Sequence, residues 1–191
     1  MMDWLPEPLR RGLRRTGRQL RLLGRPLHVV YHDAYGAAFP DLPVDPRRAE
    51  NIVAFLSAEG LLLRRALHRP EPAWWKALER VHDPNYLDRL RDPEHLTSIV
   101  GVPIPISLVD RILDHQRLQT GGTMMTVRRA RRAGVAVNLG GGFHHAHIDQ
   151  GGGFCALNDV ATAIVDERRR GFDGRILVVD LDLHDGDGTR A

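Results

Sequence analysis

His144 and His145 stand side by side in Gly140-Gly141-Gly142-Phe143-His144-His145-Ala146-His147, directly after an apolar run that ends at Leu139. Imidazoles take up and release protons near neutral pH, which is the property a general base needs, and the glycines allow sharp turns and close backbone approach. A second run, Gly151-Gly152-Gly153, leads into Phe154-Cys155, so the loop looks built to shape a pocket. Taken alone, a glycine-rich loop with surface histidines would account for the stretch. The other polar motif is Asp180-Leu181-Asp182-Leu183-His184-Asp185-Gly186-Asp187-Gly188. Alternate residues of an extended chain share a face, so Asp180, Asp182 and His184 are expected to point the same way. One carboxylate and one imidazole at i and i+2 are natural ligands for zinc or another divalent first-row ion. Leu181 and Leu183 between the acids argue against a plain acidic strand end facing water.

These motifs need elements to hold them. A short strand is expected over residues 27–31, followed by a turn-rich stretch over 32–43. Asp45 suits an N-cap, Pro46 the first helical position and Gly60 the helix end, with Ala49, Ile52, Val53 and Leu56 on the inner face. Residues 71–90 are expected to be helical in two pieces, broken by Asp83-Pro84 and closed by Asp92-Pro93, while Pro103 and Pro105 mark a loop. Residues 107–133 suit one or two helices, with Gly121-Gly122 as an interruption or a close-packing point. Apolar runs at 135–139 and 176–179 are of strand length, and a helix over about 158–170 lies between them. Apolar strands joined by helical crossovers imply an α/β fold with a parallel β-sheet and helices on both faces. Ligands of such sheets gather beyond the carboxyl ends of the strands, where both polar motifs begin.

The 191 residues, 42% hydrophobic and 27% charged, are enough for an ordinary core. Cys155 is the lone cysteine, which excludes an internal disulfide and a cysteine-rich zinc site; a reducing, cytoplasmic location is expected. No apolar run approaches the roughly 20 residues that span a bilayer, and no membrane partner is expected. Residues 1–25 carry seven arginines against Asp3 and Glu7, a net of +5, so the chain's +3 leaves −2 for the remainder. A clustered basic face is not evident within that remainder, so no nucleic-acid partner is expected. Leu9, Leu13, Leu20 and Leu23 fall near helical spacing among Arg10, Arg14, Arg18, Arg21 and Arg25, which predicts a surface helix in preference to a membrane-surface or targeting segment. Gly12, Gly17 and Gly24 weaken it. The chain thus divides into a basic N-terminal extension, 1–26, and a single unit, 27–191.

Three ordered blocks resemble the histone deacetylases: Gly141 to Ala146, Gly153-Phe154-Cys155-Ala156-Leu157-Asn158-Asp159-Val160-Ala161, and Val179 to His184 with Gly186-Asp187-Gly188-Thr189. Gln119-Thr120-Gly121-Gly122-Thr123 and the two triple glycines are most similar to the class IV branch and its bacterial relatives, and Val81-His82 with Tyr86 fits an earlier block. The likeness covers about residues 27–191, departing where the usual His-Pro is absent around Phe39-Pro40 and where Asp185 replaces a His or Gln. The resemblance implies the N-terminal half of an arginase/deacetylase fold, truncated before the site is complete. It assigns Asp182 and His184 to two of three zinc ligands, the third coming from a later segment. His145 matches the general base and Asp187 the carboxylate that orients it; His144 matches the neighbouring imidazole, paired with Asp180. Gly153 and Phe154 match one wall of the acyl-lysine tunnel. The carboxylate of Asp180 and the carbonyls of Asp180, Asp182 and His184 match the family's potassium (K+) site. The implied reaction is hydrolysis of an acetyl or longer acyl group from the lysine of a protein or from a small acetylated amine. None of Tyr31, Tyr35 or Tyr86 matches the family's oxyanion tyrosine. The chain alone is therefore expected to be inactive and to need a C-terminal half, covalently or in trans. The alternatives are a noncatalytic interaction module or a piece of a split enzyme; a two-manganese ureohydrolase fits its metal motifs less well.

Overall fold

Val29 and Val30 are both fully buried, and successive strand residues point to opposite faces, so β1 (His28–Val30) is covered on both sides. β1 is the middle strand of a three-stranded parallel sheet ordered β2-β1-β3, with β2 at Leu67–His68 and β3 at Ala136–Asn138. Val29 lies opposite Leu67 on one side and Val137 on the other. The computed structural model describes residues 6–22, 24, 26–36 and 45–191. Leu23, Arg25 and the stretch 37–44, with Phe39-Pro40, lie outside the described residues.

Helix α1 (Glu7–Leu22) precedes the sheet, and α2 (Arg48–Ala58) follows β1. Val53 and Leu56 of α2 pack on Val29, while Ile52, expected on the inner face, is exposed. Asp45 does not cap α2. Its carboxylate accepts the Arg47 N–H (2.8 Å) within a turn, and the helix starts three residues later. Gly60, at φ +69, ends it as expected.

The stretch after β2 holds α3 (Trp75–Leu78), α4 (Pro84–Arg89) and α5 (Pro93–Val100). Asp83 caps α4 by accepting from the N–H groups of Asn85 and Tyr86, and Asp92 caps α5 by accepting from Glu94. Asp92-Pro93 therefore opens a helix where the sequence suggests only a stop, because a proline at the first helical position gives up no hydrogen bond.

One uninterrupted helix, α6 (Ile106–Ala133), spans 28 residues. Its Gly121 and Gly122 are close-packing points, not a break. A Cβ at Gly121 would collide with the Glu71 carbonyl, and one at Gly122 with the Tyr35 hydroxyl and the Asn138 amide. α7 (Asp159–Arg169), capped by Asn158, packs along α6. Leu78, Tyr86, Leu90, Leu96, Leu113 and Leu157 form the main core between these helices.

Residues 176–179 depart most from expectation. They form no strand and pair with no neighbour among the described residues; Leu177 is 85% exposed. An apolar run becomes a strand only when a ladder partner receives its backbone groups, and residues 176–179 are not laid against the free edge of β3. No helix among the described residues is long and apolar enough to cross a membrane.

Candidate active site

The Gly140 to His147 loop leaves the carboxyl end of β3, and its shape is set by groups on α6 and α7. The Gly141 N–H donates to Gln119 Oε1 (2.6 Å). Asp159, buried at the start of α7, accepts from the N–H groups of Gly142 and Phe143 and from the Thr123 hydroxyl. Gly141 sits at φ +81, and a Cβ there would strike the Asp159 carboxylate, so both conformation and space call for glycine.

This fold of the loop aims two imidazoles at two carboxylates. His144 Nδ1 donates to Asp180 Oδ2 at 2.7 Å, and His145 Nδ1 donates to Asp187 Oδ1 at 2.7 Å. The two rings stand 4.2 Å apart, centre to centre. With Nδ1 bound to a carboxylate, the neutral ring keeps its lone pair on Nε2, the arrangement of a proton acceptor. His147 adds a second contact, Nε2 to Asp187 Oδ2 at 3.2 Å. Hydrogen bonds from His145 and then His147 hold the Asp187 carboxyl well below the usual carboxylate range. The His144 bond lowers that of Asp180 in the same way.

Asp182 and His184 are not arranged as expected. The Asp182 N–H donates to Asp180 Oδ1 and the His184 N–H to Asp182 Oδ1, so the chain turns at each step and the strand-like alternation is lost. His184 Nδ1 lies 3.1 Å from Asp182 Oδ1, and both side chains are exposed. The hydrogen bonds from the His184 backbone and ring lower the Asp182 pKa. The His184 ring nevertheless sits 6.0 Å from that of His145, so the donor pair borders the histidine loop.

Gly153 and Phe154 lie against the same loop. A Cβ on Gly153 would run into the His145 ring, and both residues have positive φ, +52 and +67. Phe154 is held there by its own carbonyl, which accepts from the Gln116 amide at 2.7 Å. Phe143 and Phe154 also line a cavity of about 210 Å³ with Tyr35, His115, Gln116 and Gln119, to which neither histidine–aspartate pair contributes.

The model of the histone deacetylase domain matches residues 42–191. The chain belongs to the histone deacetylase family. It is 32% identical over 170 residues to histone deacetylase 2 of Arabidopsis thaliana, covering 84% of this chain and 44% of that one. Against histone deacetylase 8 of Xenopus tropicalis it is 35% identical over 155 residues, covering 75% and 41%. The crystal structure of an HDAC homologue from Aquifex aeolicus superposes with a TM-score of 0.70 at 26% identity, over 87% of this chain and 47% of that one. The architecture is thus the arginase/deacetylase fold. The chain spans about half the length of the curated relatives it matches.

The family's metal chemistry can be tested on the donors present. Asp182 and His184 are one oxygen and one nitrogen donor, adjacent and open to solvent, a set that suits zinc. Among the described residues, no group of three His, Cys, Asp or Glu side chains is placed to hold an ion. The residues fit two positions of a zinc site.

Several participants were not assigned from sequence. His147 lies in the motif, but nothing in its spacing shows that it shares Asp187. Gln116, whose Oε1 accepts from Ala156 and Leu157, and Asp159 act on backbone groups distant in sequence, which a motif cannot reveal. His82 donates from Nδ1 to the His147 carbonyl (2.8 Å) and accepts the Asn158 N–H at Nε2 (3.0 Å), tying the loop to the start of α7.

Proposed function

We propose that this chain supplies the general base, its orienting carboxylates and two metal ligands to a zinc-dependent amidohydrolase that removes acetyl or longer acyl groups from lysine. The observation that carries the reading is the pair of Nδ1–carboxylate bonds at 2.7 Å, His144 to Asp180 and His145 to Asp187, at the carboxyl end of a parallel sheet.

His145 accepts the proton of the attacking water at Nε2 while Nδ1–H stays on Asp187, whose lowered pKa keeps it ionised to balance the imidazolium. His144, held by Asp180, lies beside it and supports the charge distribution. The proton then passes to the departing amine as the carbon–nitrogen bond breaks, giving the free amine and a carboxylate. Asp182 and His184 would hold the zinc, and Asp180 with the carbonyls of Asp180, Asp182 and His184 a potassium ion. When bound, zinc supplies Lewis-acid polarisation of the amide carbonyl and lowers the pKa of the attacking water. Gly153 and Phe154 form a wall for the acyl-lysine chain, whose amine belongs to a protein or a small acetylated amine. Residues 1–26 are an extension outside this unit, 27–191. A single cysteine, Cys155, with no disulfide partner in the sequence suits a reducing compartment such as the cytoplasm.

A noncatalytic interaction module is favoured by a different observation, the exposure of Leu177, Leu181 and Leu183 at 85%, 91% and 95%, which suits a surface made to be covered. Turnover of an acetyl-lysine peptide by this chain, with and without a segment equivalent to the C-terminal half of its relatives supplied covalently or in trans, separates the two. Turnover that appears with that segment and disappears in His145→Ala supports the hydrolase; none in either case supports the module.

A further inference from the structure

A helix lying on a protein body ordinarily turns its apolar stripe inward and its charges to water. α1 does the reverse. At 3.6 residues per turn, Leu9, Leu13 and Leu20 fall within about 40° of one another, Arg11, Arg15 and Arg18 occupy the opposite side, and Arg10 and Arg14 lie along the flank between. The basic side meets the body. Arg18 Nη1 donates to the Glu59 carboxylate at 2.6 Å and to the Glu59 carbonyl at 3.2 Å, and a Cβ on Gly60 would meet the Arg15 backbone. The leucines face away, exposed by 57%, 51% and 63%, and Gly12 beside them has open space around it.

We infer that α1 is an interfacial helix that lays its leucine stripe on an anionic lipid surface. Residues 7–22 carry six arginines and one acid, Glu7. A second copy of the chain offers the same leucines but brings the same positive charge, so pairing two stripes sets like charges against each other. A bilayer rich in anionic headgroups offers apolar depth beneath the leucines and phosphates beside them for the flanking Arg10 and Arg14. The stripe from Leu9 to Leu20 is about 16 Å long at 1.5 Å per residue, which suits shallow insertion parallel to the surface and not a span.

The test is co-sedimentation of the purified chain with vesicles of phosphatidylcholine alone and with about a third phosphatidylserine, together with light scattering of the chain without lipid. Binding should be at least about tenfold stronger to the anionic vesicles and should weaken with added salt, since the headgroup attraction is screened. Leu9→Ser/Leu13→Ser/Leu20→Ser should abolish it, and Arg10→Gln/Arg14→Gln should lower affinity by about fivefold per arginine removed. The triple variant keeps the apolar residues 176–183, so vesicle binding that persists in it would overturn the proposal. Equal binding to both vesicle types, or a dimer dispersed by the triple variant with no lipid binding, would also overturn it.

Discussion

Asp187 accepts from His145 on one oxygen and His147 on the other, so its charge fixes both rings at once. In the active protein, Asp187→Asn should retain zinc and lose turnover by about 10²-fold or more, close to the loss in His145→Ala, since general-base catalysis commonly contributes about 10²–10⁴. His144→Ala should cost less; a larger loss there than in His145→Ala, read from kcat on an acetyl-lysine peptide, would exchange the two roles. Gly153→Ala tests the wall of the site. Its φ of +52 and the His145 ring in the path of a Cβ mean that the alanine must push the base from its carboxylate, so kcat should fall by at least about tenfold while the melting temperature drops only modestly. These residues were readable from sequence because their types and order are unusual. Asp159 and Gln116 were not, since a buried carboxylate or amide that shapes a loop through backbone N–H groups looks like any other polar residue on a helix.

At the scale of elements, His82 joins the histidine loop to α7 only as a neutral ring, donating at Nδ1 and accepting at Nε2. Burial pushes its pKa below the ordinary 6.5, so between the folded and unfolded values the unfolded chain binds the extra proton. Stability from this group is complete above about pH 6.5, is lost as pH falls below it, and stops falling beneath the folded value. His32, His68 and His115 are shifted the same way. Urea midpoints measured between pH 8 and 5 should therefore fall with pH, and less steeply in His82→Gln; an unchanged slope would remove His82 from the account. Asp92→Ala should cost about 0.5–2 kcal/mol by uncapping α5, seen as a lower urea midpoint at constant slope. The Asp-Pro pairs also show where sequence reading of elements runs out. The same dipeptide ends one segment and opens the next, and only the carboxylate's bond to the N–H two residues on tells which. β1, β3, α6 and α7 were legible because each carries a long period or an apolar run with its own end signals. The run at 176–179 carries the same signal but lacks a ladder partner, and a strand is a property of two segments.

For the whole molecule, the sheet places both histidine–aspartate pairs at one end and leaves residues 176–183 uncovered beside them. Their exposed leucines and the two-donor metal set belong to the same edge, so whatever covers the apolar run also stands next to Asp182 and His184. Supplying a segment equivalent to the C-terminal half of the relatives, covalently or in trans, should raise zinc content and turnover together and cover the exposed leucines, read as a fall in light scattering. The most direct test is zinc stoichiometry and acetyl-lysine turnover measured on the same preparations of wild type, His184→Ala and His145→Ala, each with that segment present. One zinc per chain in wild type and in His145→Ala, near none in His184→Ala, and turnover lost in both variants is the predicted result; equal zinc in wild type and His184→Ala, or full turnover in His145→Ala, would contradict the account.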